Sequence, residues 1–319
     1  MTFQKPSLTI FIATHNRSTK LKRVLEFINK DALETNCRNE IEIVVSDNNS
    51  KDKTINICQS MKSDGSINAF FSNKKNIGPC QNMMTSLWRS SGRFIWLLCD
   101  DDLPIEGAIK NILYIIKDFE GKTGLIYLNN TKEYESGKLR RGPITNESQG
   151  GILSANNIIN LVKDELITAS SLVINREAFS KECTRKFAYS NRFCGPLALS
   201  LDAISMYRNG YVTPKPLIRY IYGDTSEWSD NWYTIWLVNM PIIFQWAAKK
   251  YDYDIRLLDP AKLNHSKAKA LLVLLKTPSF WRIRFGDWLW VIKNIFLRPS
   301  NLFSIMRTFI NSFYLKRKN

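Results

Sequence analysis

The sequence predicts an α/β fold, a mostly parallel sheet flanked by helices, followed by a helical, basic C-terminal extension. Short apolar runs alternate with segments of helical spacing through the first 130 residues, which is typical of strand–helix–strand units. Polar clusters follow three of these runs directly. Positive charge is concentrated at the other end, where residues 261–319 hold 12 Lys or Arg and one acidic residue, Asp287.

Five strands are predicted in the first 130 residues, each an apolar run that ends in polar residues: 8–13, 41–46, 67–72, 94–99 and 125–130. Helical spacing separates them, and Pro104 is predicted to open the fourth helix, because proline loses no hydrogen bond at a helix start. The later elements are predicted as a polar surface loop over 132–151, a strand over 167–174, and a helix over 197–207 that Asn209 and Gly210 end.

The amino-acid composition excludes several classes of protein. The chain has 319 residues, of which 44% are hydrophobic and 23% charged, so it can bury a real core and is not a disordered polymer. No run of about 18 to 20 apolar residues predicts a membrane span, and the N-terminus does not match a signal peptide. Two histidines exclude a three-histidine metal site, and six cysteines without a Cys-x-x-Cys pair suit reduced thiols. A net charge of +16 predicts an anionic partner.

Three adjacent carboxylates, Asp100, Asp101 and Asp102, follow the buried strand predicted over 94–99. In a parallel sheet, ligands bind beyond the carboxyl ends of the strands, where Asp47 brings a second acidic cluster. Crowded carboxylates are costly unless a cation compensates them, and their oxygens select Mg²⁺ or Mn²⁺. A solvated acidic turn is the alternative interpretation, and the position at the sheet edge favours the metal.

Four segments in order carry a resemblance to a known family: LTIFIATHNR, VVSDNNSKDKT, NKKNIGPCQNM and WLLCDDDLPIEGAI. This set resembles the family 2 glycosyltransferases, which have the GT-A fold and use nucleotide-diphospho-sugars. The resemblance is strong over residues 7–120 and looser to about 225. ITASSLVINREAF and VTPKPLIRYIYGD are similar to the subset of abequosyltransferases in O-antigen and lipopolysaccharide synthesis.

The resemblance implies a role for each matching residue. Thr14, Asn16 and Arg17 are expected to line the nucleotide pocket, and Asp47 is expected to contact the base or the ribose. Asn76 and Gly78 belong to a loop that closes near the nucleotide, and Asp100 and Asp101 are expected to face the ribose or the sugar. In this family the last acid of the aspartate motif usually binds the metal, so the resemblance implies that Asp102 binds a divalent metal, Mn²⁺ or Mg²⁺. His15 stands where relatives have a tyrosine, and a stacking or polar role is favoured over catalysis.

The catalytic base is the main departure from the family. Inverting members carry a Glu-Asp pair at the place of Ala198 and Leu199, which cannot abstract a proton. Asp202 and Asp224 are the preferred candidates, with an exposed helix position as the alternative for Asp202. Further acids nearby are Glu227 and Asp230.

The predicted organisation is a GT-A domain over 1–225, with a nucleotide-sugar half 1–130 and an acceptor half 131–225, and a helical, Trp-rich basic region over 226–319. In that region one helical face carries an apolar stripe made of Trp281, Phe285, Trp288, Ile292 and Phe296. Such a helix lies in an anionic membrane interface, or it packs on the catalytic domain.

The expected partners are a nucleotide-diphospho-sugar donor and a lipid-linked glycan acceptor, with no nucleic acid. The expected location is cytoplasmic, peripheral on the inner face of the cell membrane. Two other functions remain as alternatives. One is a non-catalytic basic protein that binds membrane or nucleic acid, and the other is a sugar nucleotidylyltransferase.

Overall fold

The computed structural model describes residues 5–119, 122–134, 136–178, 194–222, 235 and 239–254. The chain divides into two compact units, 1–223 and 224–319. The second unit contributes one described helix, Met240–Tyr251. The predicted amphipathic stripe and the candidate bases Asp224, Glu227 and Asp230 lie outside the described residues.

The first unit is built from strands and helices that alternate along its first half. Its strands are β1 Leu8–Thr14, β2 Ile41–Asp47, β3 Ala69–Ser72, β4 Phe94–Cys99, β5 Leu103–Pro104, β6 Leu125–Tyr127, β7 Asn130–Tyr134, β8 Leu139–Arg141, β9 Gly151–Ser154, β10 Leu172–Asn175, β11 Asn209–Val212 and β12 Ile218–Tyr222. Its α-helices are α1 Ser18–Glu34, α2 Thr54–Ser63, α3 Pro79–Met84, α4 Ser86–Arg89, α5 Ala108–Asp118, α6 Ala155–Val162 and α7 Gly195–Tyr207.

The larger sheet has eight strands in the order β3-β2-β1-β4-β10-β6-β11-β9. The first four run parallel to one another, β10 runs antiparallel between β4 and β6, and β9 is antiparallel at the edge. The predicted α/β fold with a mostly parallel sheet is therefore confirmed. A second, smaller sheet has the strand order β5-β12-β7-β8 and was not predicted from the sequence.

The sheet core explains why the central strands are apolar runs. β1 and β4 are covered on both faces, so nearly every one of their side chains is buried. Helix α1 packs on the sheet through Leu21, Val24 and Ile28. The same helix carries a buried carboxylate, Asp31, which accepts hydrogen bonds from the Gly107 N–H at 2.5 Å and from the N–H of Ile109 at 3.3 Å.

The structure corrects the predicted start of α5. Pro104 does not open this helix but lies in β5, where it pairs with Ile218. The helix begins at Ala108, after Gly107 adopts a left-handed φ of 77°. Asp31 caps it from a distant part of the chain, a contact that no local sequence pattern indicates.

Three other predictions need correction. The polar segment 132–151 is not a loop, since it contains most of β7, all of β8 and the start of β9. The strand predicted over 167–174 begins only at Leu172, after the 3-10 turn Ala169–Ser171, because serine side chains there bond to neighbouring groups. Helix α7 ends at Tyr207 with Arg208 left-handed (φ 56°), and Asn209 and Gly210 open β11.

Two further findings concern thiols and membranes. The described cysteines Cys37, Cys58, Cys80, Cys99 and Cys194 are free thiols. Within the described ranges, each helix is either too short or too polar to cross a lipid bilayer.

Candidate active site

The carboxyl ends of β1, β2 and β4 meet at one edge of the larger sheet. Thr14 is in register with Asp47, and Ala13 is in register with Cys99. The polar segments that follow these strands are therefore neighbours, as the sequence predicted. This edge holds the candidate site.

Hydrogen bonds join the loops that follow β1 and β2. Asn16 has a left-handed φ of 52°, its backbone N–H donates to Ser50 Oγ at 2.8 Å, and its Oδ1 accepts from the Lys51 N–H at 2.7 Å. Asn49 is also left-handed, with a φ of 65°. Asparagine tolerates this backbone conformation better than most residues, which explains why both loops use it.

Asp47 is fully buried at the end of β2. Its carboxylate accepts from the Ser50 N–H at 3.1 and 3.2 Å and from Ser72 Oγ at 2.8 Å. In this structure Asp47 therefore shapes its own loop and ties it to β3. Its expected contact with the base or ribose stays a prediction.

Asn76 and Gly78 lie on the loop before α3, facing His15. Asn76 Oδ1 accepts from Asn48 Nδ2 and from the Gly78 N–H, both at 2.8 Å, while Gly78 has a φ of 90°. The Nδ2 atoms of Asn16 and Asn76 each lie 3.2 Å from His15 Nε2. Since an amide N–H can only donate, this arrangement uses His15 Nε2 as an acceptor. His15 Nδ1 is buried and has no hydrogen-bond partner among the described residues.

Asp100 is buried beside Thr14 and Arg17. It accepts from Thr14 Oγ1 at 2.7 Å and from Arg17 Nη1 at 2.9 Å, and the same nitrogen donates to Asp101 at 2.8 Å. Burial, and next the charge of Asp101, raise the pKa of Asp100 to about 6, although Arg17 and Thr14 act in the opposite direction. Thr14 and Arg17 therefore support the acidic cluster in this structure. Their expected place in the nucleotide pocket stays a prediction.

Asp102 is buried on the other side of the cluster. Its Oδ2 accepts from Ser170 Oγ at 2.6 Å, and Ser170 Oγ in turn accepts from the Cys99 N–H at 3.0 Å. Burial, and next the Asp101 charge, raise the pKa of Asp102 well above its ordinary value, whereas the Ser170 hydroxyl lowers it. Such a carboxyl is ionised most easily when a cation lies beside it.

Cys99, Asp101 and Asp102 form the candidate metal site. One ligand atom from each lies within 4.8 Å of the others, and Asp102 is the buried member. The two carboxylates fit Mn²⁺ or Mg²⁺. Burial, and next the charge of Asp102, raise the pKa of the Cys99 thiol well above its ordinary value, which disfavours the thiolate that would bind a metal. Of these three residues the sequence analysis named only Asp102 as a metal ligand. It assigned Asp101 to the ribose or the sugar and gave Cys99 no role, and Asp100 is not part of this group.

Ser170 is a second residue that sequence reasoning missed. Ser170 lies in the segment 167–174, which was predicted to be a strand, so no hydrogen bond was predicted for its hydroxyl. The Ser-Ser pair before an apolar run was the available signal, because serine favours turns over strand interiors. Its backbone carbonyl also accepts from Trp96 Nε1 at 2.8 Å, which fixes the turn against β4.

The candidate base Asp202 lies within α7 and is 3% exposed. The alternative interpretation, an exposed position on a surface helix, is therefore wrong. The role of Asp202 as the catalytic base stays a prediction.

The alternating strands and helices and the mostly parallel larger sheet form a GT-A-like α/β fold. The sequence model of the family "Glycosyl transferase family 2" matches residues 9–180, more than half of the chain, and the chain therefore belongs to this family. This confirms the expected class of enzyme, the glycosyltransferases.

Among known proteins, the chain is similar to a GalNAc(5)-diNAcBac-PP-undecaprenol beta-1,3-glucosyltransferase of Campylobacter jejuni. The two are 31% identical over 109 residues, 34% of each chain, so the match spans only about a third of that relative.

Solved structures resemble the fold at low identity. TarS 1-349 of S. aureus has a TM-score of 0.59 at 13% identity and matches over 90% of this chain and 79% of its own. The mannosyltransferase PcManGT of Pyrobaculum calidifontis, in complex with GDP-Man and Mn²⁺, has a TM-score of 0.54 at 12% identity, over 98% and 88%.

Proposed function

We propose that this protein transfers a sugar from a nucleotide-diphospho-sugar to a hydroxyl of a lipid-linked oligosaccharide, with the help of a divalent metal. The observation that carries the proposal is the group Cys99, Asp101 and Asp102 at the carboxyl edge of a family 2 sheet. Family membership favours this reaction over nucleotidyl transfer and over non-catalytic binding.

The nature of the two substrates is supported by similar proteins. The Campylobacter relative is named for an undecaprenol-linked glycan, and TarS 1-349 has been solved with UDP-GlcNAc. We assign the chain to surface polysaccharide synthesis, in the abequosyltransferase-like subset of O-antigen assembly, because of its segments ITASSLVINREAF and VTPKPLIRYIYGD.

Different residues of the chain have different roles in the proposed sugar transfer. Asp101 and Asp102 would hold the metal, which when bound offsets the charge of the departing diphosphate. Thr14 and Ser170 keep the carboxylates in place. Asn16, Asp47, Asn76 and Gly78 shape the loops that would receive the nucleotide. Asp202 or Asp224 would take the proton of the acceptor hydroxyl.

The basic C-terminal segment suits attachment to a membrane. Residues 261–319 carry 12 Lys or Arg against one acid, and each basic side chain near an anionic leaflet contributes about 1 kcal/mol. We propose a cytoplasmic enzyme held on the inner face of the cell membrane, where a lipid-linked acceptor is found. Co-sedimentation with anionic vesicles, with and without 261–319, tests this. Equal binding by both proteins, or binding that high salt leaves unchanged, contradicts it.

The reaction itself is tested with purified protein, Mn²⁺ and a panel of nucleotide-sugars, by following release of the nucleotide diphosphate. Asp102→Asn should abolish turnover while the melting temperature stays close to that of the wild type. Asp64→Asn, an exposed site far along the chain from the acidic cluster, is the matched control. Wild-type turnover by Asp102→Asn, or no turnover with any donor, contradicts the proposal.

A further inference from the structure

A single nitrogen of Arg17 bridges two carboxylates. Arg17 Nη1 lies 2.9 Å from Asp100 Oδ1 and 2.8 Å from Asp101 Oδ2. The Arg17 side chain is 37% exposed, whereas those of Asp100 and Asp101 are 4% and 28% exposed. The Arg17 side chain is therefore more exposed than either carboxylate that it bridges, and its positive charge offsets part of theirs.

Asp101 belongs to two groups at once. It binds Arg17, and it is one of the three residues whose ligand atoms cluster with those of Cys99 and Asp102. A divalent cation bound to Asp101 would have the positive charge of Arg17 as a direct neighbour. Like charges that share one carboxylate repel each other, so the two cations compete for Asp101.

We propose that Arg17 is a built-in counter-ion, which a divalent cation displaces from Asp101, so that Arg17 weakens and thereby sets the metal affinity of the site. This inference rests on the proposed function. Arg17 acts here as a positioning residue, because it acts on the metal through Asp101.

The surroundings of Arg17 allow this exchange. Its side chain is partly exposed, so the guanidinium can be solvated when it leaves Asp101. Asp100 does not lose all support when Arg17 leaves, because Thr14 Oγ1 still donates to it at 2.7 Å. Asp102 is held separately by Ser170 at 2.6 Å. Asp101 alone exchanges the guanidinium for a metal ion, whereas Asp100 keeps Thr14 and Asp102 keeps Ser170.

The experiment compares Mn²⁺ binding by the wild type and Arg17→Gln, with free Mn²⁺ followed by electron paramagnetic resonance. Arg17→Gln should bind Mn²⁺ at least about tenfold more tightly, within the usual range of coupling between two sites. Mn²⁺ should also raise its melting temperature more than that of the wild type. Arg17→Lys keeps the charge and should stay near the wild-type affinity.

Arg23→Gln is the matched control. Arg23 is exposed and reaches the same segment, but its Nη2 contacts the backbone oxygen of Asp101 at 3.4 Å rather than the carboxylate. Arg23→Gln removes the same charge from the chain as Arg17→Gln. Its Mn²⁺ affinity should stay within about twofold of the wild type, because exposed charges are well screened.

A second measurement covers the case in which Arg17→Gln does not fold. In wild-type protein with ¹⁵N-labelled arginine, saturating Mg²⁺ should shift the Arg17 side-chain resonance, identified by its absence in Arg17→Lys, and leave that of Arg23 in place. Unchanged or weaker Mn²⁺ binding by folded Arg17→Gln, an unshifted Arg17 resonance, or no metal binding by any variant overturns the inference. Sugar transfer by the wild type with and without Mn²⁺ is measured separately. Metal-dependent transfer would support the proposed function even where the role of Arg17 is overturned.

Discussion

Replacing Ser170 by alanine tests how the acidic cluster is supported. The Ser170 hydroxyl donates to Asp102 at 2.6 Å and accepts from the Cys99 N–H at 3.0 Å, so Ser170→Ala removes both bonds. The Trp96 indole bonds to the backbone carbonyl of Ser170, which the substitution keeps. The turn should therefore stay in place while Asp102 loses its side-chain donor.

The size of the effect follows from the type of bond. A hydrogen bond to a charged group contributes about 1.5 to 3 kcal/mol, which corresponds to about 10- to 150-fold in a binding constant. Groups that orient metal ligands typically change metal affinity by about 10- to 100-fold. We therefore expect Ser170→Ala to bind Mn²⁺ about 10- to 100-fold more weakly at neutral pH.

The pH dependence distinguishes this mechanism from general loosening of the structure. The Ser170 hydroxyl lowers the pKa of Asp102, which burial has already raised, so the variant should have a still higher pKa. Protons then compete more strongly with the metal, and the deficit in affinity should shrink as the pH rises.

Calorimetric titration with Mn²⁺ at pH 6, 7 and 8 measures both effects. Ser200→Ala is the control, because Ser200 is equally buried but donates to Pro196 within α7. Equal Mn²⁺ affinity for the wild type and Ser170→Ala at all three pH values would refute the argument. So would a deficit that does not depend on pH.

Two further predictions concern stability. Because burial and then Asp101 raise the pKa of Asp100 to about 6, its protonated form contributes stability that is complete below about pH 4 and is lost as the pH rises through about 6. Melting temperatures of metal-free protein should show this fall, and Asp100→Asn should flatten it; an unchanged profile contradicts it. Asp31→Ala should cost about 1 to 3 kcal/mol in urea unfolding, because the Gly107 N–H at the start of α5 loses its buried partner. Glu34→Ala, exposed on the same helix, should change little, and equal costs for both would rule out the capping role.

The parallel core was predictable because its signals are local. β1, β2 and β4 are apolar runs bounded by polar turns, and alternation with helices fixes their direction. The acidic cluster was predictable for the same reason, since three aspartates follow β4 directly.

The missed features depend on contacts between distant residues. Ser170 reaches Asp102 across 68 positions, and Asp31 caps a helix 76 positions away. The antiparallel β10 pairs with β4 although its own sequence does not specify direction. Arg17 was predicted to face the nucleotide, and its pairing with two aspartates depends on how two loops meet. Sequence periodicity reports which face of an element is buried, but not which partner covers it.

The position of β10 has a consequence for how the chain can be cut or synthesised. Because β10 lies between β4 and β6, the sheet is not continuous until residues 172–175 have emerged from the ribosome. A fragment that ends at residue 130 would leave β4 with an unpaired edge, open to pairing with another chain. It would also lack Ser170, so its aspartates would have no support on that side. The two halves are therefore poor candidates for exchange as independent modules between related enzymes.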